Sequence, residues 1–134
     1  MAFVVDASIA GAWLMPDERI AAATPLGRRV LADGAGAPDL FRHEVRNLLV
    51  MAVQRRRLPE DLLWVQLTRI ESMPIRLAPP GPSARIAQRA LTHDLTAYDA
   101  AYLDLALDRA LPLATLDQKL RAAAVAEGVA VLPE

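Results

Sequence analysis

Four acidic residues have the types and positions to act together in one site: Asp6, Glu44, Asp99 and Asp117. Asp6 follows the apolar run AFVV and Asp117 follows LPLATL, so both are predicted at the carboxyl ends of buried strands, where ligands bind in open α/β sheets. If all four converge to about 6 Å, their six repulsions cost on the order of 15–20 kcal/mol, more than a domain stability of about 5–15 kcal/mol tolerates. Protonation or a hard divalent cation, Mg²⁺ or Mn²⁺, would relieve that repulsion.

The other two acids lie on predicted helices. In LTAYDAAYLDLALD (95–108), a projection at 100° per residue places Asp99 on the apolar side, whereas Asp104 and Asp108 point to solvent. That apolar stripe consists of Leu103, Ala106, Leu107 and Ala110. Glu44 lies at the margin of the apolar face of its helix, on the same side as Asn47. We therefore expect Asp99 and Glu44 to point inward, and we exclude Asp104 from the site.

Each acid also has a purely structural alternative. Asp6 and Asp117 precede helices and could be N-caps. Thr96 and Asp99 have the spacing of a capping box, in which Asp99 would only satisfy backbone N–H groups. Glu44 could pair with one of the many arginines. The sequence leaves these alternatives open.

Strand patterns alternate with helical patterns along the chain. Strands are predicted at 2–5, near Ala37, and at 74–79, 111–116 and 129–132. Helices are predicted at 6–15, 17–34 (with Pro25 starting a second part and Gly34 and Gly36 ending it), 40–57, 59–72, 83–93, 97–110 and 118–127. This order predicts an α/β, three-layer domain with a central parallel sheet of about five strands flanked by helices. A length of 134 residues suits a single domain, 1–134.

Composition excludes several classes of function. The absence of cysteine excludes a disulfide framework, a thiol nucleophile and a cysteine zinc site. We expect neither a signal peptide nor a membrane span, and we predict a cytoplasmic protein. Fifteen basic residues against 16 acidic ones give no overall basic footprint for nucleic acid, so any nucleic-acid contact would come from a local patch. Arg42 and Arg46, which flank Glu44, could hold the phosphates of a nucleic acid or pair with neighbouring acids.

The remaining basic and aromatic residues have simpler interpretations. The run 55–57 is interpreted as a solvated, cationic helix end. The aromatic side chains are interpreted as packing in a core or an interface rather than stacking on bases; they are Trp13, Trp64, Tyr98 and Tyr102. His43 is expected on the surface of its helix.

Four segments, in this order, resemble the motifs of PIN-domain ribonucleases: VVDASIAGAW, PDLFRHEVRNLL, HDLTAYDAAYLDLA and LATLDQKL. The chain is most similar to the VapC-type toxins of VapBC toxin–antitoxin pairs, over residues 3–132. The resemblance implies a PIN-like, Rossmann-like fold and matches Asp6, Glu44, Asp99 and Asp117 to the acidic catalytic and metal positions. It matches Ser8 and Thr115 to small hydroxyl positions at the pocket, and Asn47 to an asparagine that follows the second acid. Ala12 departs from relatives that carry lysine there.

The same resemblance implies an activity and partners. Members are Mg²⁺-dependent endoribonucleases, for which Mn²⁺ can substitute, and they cleave RNA such as tRNA or rRNA. We expect in-line hydrolysis that leaves a 5′-phosphate and a 3′-hydroxyl, a homodimer, and silencing by a cognate VapB-type antitoxin. One rival is a non-catalytic PIN-like module that acts through a protein partner. Another is a phosphotransfer domain, disfavoured because the first strand ends in DAS rather than D-x-D and Lys119 lies inside the last helix.

Overall fold

The structure is a computed structural model that describes residues 1–18 and 20–134. Its sheet is parallel throughout, in the order β3-β2-β1-β4-β5. The strands are β1 (Val4–Val5), β2 (Ala35–Pro38), β3 (Ile75–Ala78), β4 (Leu113–Ala114) and β5 (Val131–Leu132). Because the chain moves outward from β1 first to one side and then to the other, the strand order reverses between β1 and β4. The predicted fold class is confirmed, and the crevice at that reversal is where a ligand site is expected.

Seven α-helices in the described part of the chain flank the sheet. They are α1 (Ala7–Leu14), α2 (Thr24–Asp33), α3 (Leu40–Gln54), α4 (Glu60–Ser72), α5 (Ser83–His93), α6 (Ala97–Arg109) and α7 (Gln118–Ala126). None of the described helices is both long and apolar enough to cross a membrane.

The predicted helix 17–34 is wrong in its first half, apart from residue 19, which lies outside the described residues. Two short 3₁₀ turns, Pro16–Glu18 and Ala21–Ala23, precede α2, which has Pro25 in its first turn. That position suits proline because the first helical N–H groups have no intrahelical acceptor. Gly34 ends α2 with a φ of 75°, as predicted. Gly36, in contrast, lies within β2, where it pairs with β1 and β3.

Helix α6 is buried more completely than its sequence predicts. It packs on the sheet through β1, β2 and β4, and α5 covers another of its sides. The prediction that Asp104 faces solvent is therefore wrong, because its residue surface is only 3% exposed. Arg85 of α5 donates to its two carboxylate oxygens at 2.7 and 2.9 Å, and Arg89 donates at 2.9 Å. Asp108 is exposed, as predicted, whereas Ala110, predicted in the apolar stripe, is exposed at the helix end.

Candidate active site

Asp6 lies where β1 ends, at the reversal of strand order, and it caps α1. Its Oδ1 accepts hydrogen bonds from the backbone N–H groups of Ser8 and Ile9 at 3.1 and 3.2 Å. The same oxygen accepts the Ser8 hydroxyl at 2.6 Å, and Oδ2 accepts the Thr115 hydroxyl at 2.5 Å. The N-cap alternative for Asp6 is therefore confirmed, yet the carboxylate also contacts the end of β4.

The charge on Asp6 is poorly compensated. Burial raises its pKa to about 6, although hydrogen bonds from Ser8, Thr115 and the Ile9 backbone act in the opposite direction. Within residues 1–18 and 20–134, no basic side chain forms an ion pair with Asp6. A buried carboxylate without a cationic partner is costly and favours either a proton or a bound cation.

Ser8 and Thr115 join the loops that follow β1 and β4. Ser8 Oγ accepts the Leu116 N–H at 2.9 Å, and Thr115 Oγ1 accepts the Asp117 N–H at 3.1 Å. The two hydroxyl oxygens lie 3.5 Å apart. Asp117 caps α7 by accepting the Leu120 N–H on Oδ1 at 2.9 Å, which confirms its N-cap alternative as well. These bonds place Asp117 next to the residues that hold Asp6.

Glu44 of α3 and Asp99 of α6 are both partly buried. Glu44 Oε1 accepts the hydroxyl of Tyr102 at 2.6 Å. Burial raises the pKa of Glu44, the Tyr102 hydrogen bond opposes that rise, and the negative charge of Asp99 adds to it. Burial also raises the pKa of Asp99, and the charge of Asp117 raises it further. Part of the capping box is confirmed, because the Thr96 hydroxyl accepts the Asp99 N–H at 3.1 Å.

Three of the acids, Glu44, Asp99 and Asp117, are electrostatically coupled in sequence, and Asp6 is linked to Asp117 through hydrogen bonds of Thr115. The negative charge of Asp99 raises the pKa of Glu44, and the negative charge of Asp117 raises the pKa of Asp99. Among the side chains that the structure describes, no three acidic residues or histidines are already arranged to hold a metal ion. The donor set nevertheless fits a hard divalent cation, because it consists of carboxylate oxygens whose charges repel one another.

Comparison with known proteins identifies the family. The family model described as PIN domain matches residues 3–126. The chain belongs to the PIN-domain family. No curated protein sequence matches the chain significantly.

Two solved structures share the PIN fold at low sequence identity. PAE2754 from Pyrobaculum aerophilum superposes with a TM-score of 0.77 at 21% identity, covering 98% of this chain and 90% of that chain. FitAcB from Neisseria gonorrhoeae superposes with a TM-score of 0.69 at 20% identity, covering 96% of this chain and 95% of that chain. These similarities concern the fold.

Arg42 and Arg46 lie on a different side of α3 from Glu44 and line a cleft that does not include Glu44. Residues two positions from Glu44 on a helix point about 160° away from it, so Arg42 and Arg46 lie on the opposite side of α3. There they line a cleft with side chains of α4 and β3, including Leu67 and Glu71. A role of both arginines in RNA binding stays a prediction.

The other predicted residues have mixed placements. Asn47 lies exposed on α3, and His43 is exposed as expected. The run 55–57 is exposed at the end of α3, as interpreted. Tyr98 is 67% exposed and does not pack in the core.

Tyr102 is the residue that sequence reasoning missed. It was interpreted only as a packing aromatic, and it is indeed buried, but its hydroxyl contacts Glu44. The available signal was its spacing, because a residue three positions after Asp99 shares that side of the helix.

Proposed function

We propose that this PIN domain is a Mg²⁺-dependent endoribonuclease, the toxin of a type II toxin–antitoxin module. The observation that carries the proposal is the buried, uncompensated carboxylate of Asp6 at the reversal of strand order. Through Thr115 it is linked to Asp117, and through mutual repulsion Asp117, Asp99 and Glu44 form one group. Folding gains nothing from such repulsion unless a cation relieves it.

The proposed roles follow from the contacts. A bound Mg²⁺, or Mn²⁺ in its place, supplies charge neutralisation and Lewis acidity toward a phosphodiester. Asp6, Glu44, Asp99 and Asp117 would hold it. Ser8 and Thr115 fix the orientation of Asp6 through hydrogen bonds to both of its oxygens. Asp117 uses only Oδ1 for its cap in the described structure, which leaves Oδ2 for a cation or for the attacking water.

RNA cleavage by purified protein tests this assignment. We expect Asp6→Asn and Asp99→Asn each to lower the Mg²⁺-dependent rate by about 100-fold or more, since each removes charge that stabilises the reacting centre. Asp108→Asn is the matched control, because it makes the same change on α6 at an exposed position. Mapping 5′ ends of cellular RNA after induction would identify the target, such as a tRNA or an rRNA. Full activity in both site variants would refute the assignment.

We further propose that a VapB-type antitoxin and a second copy of the chain are its protein partners. A groove of about 440 Å³ between α1, α2 and α4 supports the use of a mixed apolar and basic surface by a partner, and its lining includes Trp13, Leu31, Met73, Arg28 and Arg69. Leu31 is 66% exposed. Light scattering of the purified protein tests the homodimer, with twice the mass of a 14.5 kDa chain expected. A single domain over residues 1–134 and a cytoplasmic location stay predictions.

The alternative function is a non-catalytic PIN-like module that acts through a protein partner. One observation favours it: within the described residues, no three acidic or histidine side chains are already arranged around a metal position. Divalent-ion binding without cleavage of any RNA would support this alternative over the ribonuclease.

A further inference from the structure

Tyr102 connects α6, which carries Asp99, with α3, which carries Glu44. It lies on α6 one turn after Asp99, and its residue surface is only 1% exposed. Its hydroxyl donates to Glu44 Oε1 on α3 at 2.6 Å, within the range of a charge-assisted O–H···O⁻ bond. The ring is therefore part of the core, while the hydroxyl reaches the carboxylate of Glu44.

The hydroxyl of Tyr102 has a role beyond finding a hydrogen-bond partner for itself. A phenylalanine would fill the same core volume without needing a polar partner, whereas a buried tyrosine hydroxyl must find one. The partner it has is a carboxylate that Asp99 repels. Within the described part of the chain, Glu44 forms no ion pair with a basic side chain. The hydroxyl is thus the group that holds this carboxylate.

We propose that Tyr102 is a positioning residue of the acidic site, whose hydroxyl fixes the Glu44 carboxylate so that it can serve as a ligand for a divalent cation. The inference rests on the proposed function, because it assigns Tyr102 a role in the metal site. Tyr102 itself is too buried to touch RNA, so it acts only through Glu44. Groups that orient metal ligands in this way typically contribute about 10–100-fold in metal affinity or activity.

Binding of Mn²⁺ to the full, metal-free chain tests the proposal, measured by the EPR signal of free Mn²⁺. We expect Tyr102→Phe to weaken Mn²⁺ binding about 10–100-fold. In a Glu44→Ala background, the same change should have no further effect, because its route to the cation is gone. Tyr98→Phe is the matched control, since it removes a hydroxyl from the same helix at an exposed position and should leave binding unchanged. Saturating Mg²⁺ should restore most of the RNA cleavage rate of Tyr102→Phe.

The outcomes separate this inference from the proposed function. If the unmodified chain binds no Mn²⁺, the metal site itself is rejected and the role of Tyr102 with it. If the unmodified chain binds Mn²⁺ and Tyr102→Phe binds equally well, only the positioning role is rejected. If Tyr102→Phe weakens Mn²⁺ binding equally in the presence and absence of Glu44, the positioning role is also rejected, because Tyr102 would then act through general packing.

A second measurement applies if Tyr102→Phe does not fold. Replacing Tyr102 by 3-fluorotyrosine keeps both the ring and the hydroxyl and provides a ¹⁹F resonance next to Glu44. We expect that resonance to shift when Mg²⁺ is added and to stay unmoved in the Glu44→Ala background. A resonance that does not move at saturating Mg²⁺ would overturn the proposal.

Discussion

Replacing Asp6 by asparagine should make the metal-free PIN domain more stable at neutral pH. The change removes a buried negative charge but keeps Oδ1, which accepts the cap bonds from Ser8 and Ile9. On the other side, the new amide group can donate to the Thr115 hydroxyl oxygen, which has lone pairs to accept it. Most of the hydrogen bonds therefore survive, while the cost of burying the charge disappears.

The size of the effect follows from the pKa of Asp6, which burial raises from 3.8 to about 6. Between these values the folded protein binds more protons than the unfolded chain, so the free energy of unfolding falls as the pH rises. A pKa difference of about two units corresponds to roughly 3 kcal/mol of folding stability, and this contribution is fully lost above about pH 6–7. A weaker hydrogen bond to Thr115 in the variant would cancel about 1 kcal/mol of this gain. We therefore expect Asp6→Asn to gain about 2 kcal/mol at pH 7.5 and little or nothing at pH 4.5.

Urea unfolding in EDTA at pH 4.5, 6.0 and 7.5 measures this difference, with Asp108→Asn as the control for removing an exposed charge. The advantage of Asp6→Asn should grow with pH, and Mg²⁺ should then reduce it by binding the folded unmodified protein more tightly than the variant. A difference that is independent of pH, or a less stable variant at pH 7.5, would refute the argument that the Asp6 charge is uncompensated.

Three further changes test the packing that supports the site, each by urea unfolding. Asp104→Ala leaves Arg85 and Arg89 without their buried acceptor and should lower the free energy of unfolding by about 2–3 kcal/mol. This is below the range for fully buried pairs because both arginines are partly exposed. An unchanged free energy of unfolding would contradict the buried pairing. Gly81→Ala would place its Cβ 2.5 Å from Asp104 Oδ2 and 2.9 Å from Arg85 Nη2, so we expect about 1–3 kcal/mol of destabilisation, and an unchanged midpoint would count against this contact. Gly34→Ala forces a side chain into a φ of 75° and should cost about 1 kcal/mol, whereas a gain in stability would show that the turn relaxes.

The fold was predictable because its signals are local. Apolar runs alternate with amphipathic stretches, and this order alone requires a parallel sheet with helices on both faces. The stretch 17–34 was mispredicted because alanine-rich sequence favours helix, whereas the structure divides its first half into two 3₁₀ turns. Local pattern could not show that α2 begins only at Thr24.

The error at Asp104 has a different cause. A helical projection identifies one apolar side and assigns the opposite side to solvent, but α6 is covered by the sheet and by α5 as well. Helix α5 carries Arg85 and Arg89, whose guanidinium groups make a buried carboxylate tolerable. Asp99 and Asp104 are therefore both partly or fully buried acids on one helix, and only their partners distinguish them. Asp104 has two arginines, whereas Asp99 has the repelling charge of Asp117.

The sequence posed capping and catalysis as alternatives for the strand-end acids, and the contacts make them compatible. Asp6 accepts all of its capping bonds on Oδ1, and Asp117 accepts its single capping bond on Oδ1. A helix start fixes the rotation of the carboxylate and contributes a favourable dipole, but for Asp6 burial outweighs that help and raises the pKa. The capped carboxylate is thus oriented yet still short of positive charge. A helix start therefore does not argue against a metal ligand; what would argue against it is a basic partner such as those of Asp104.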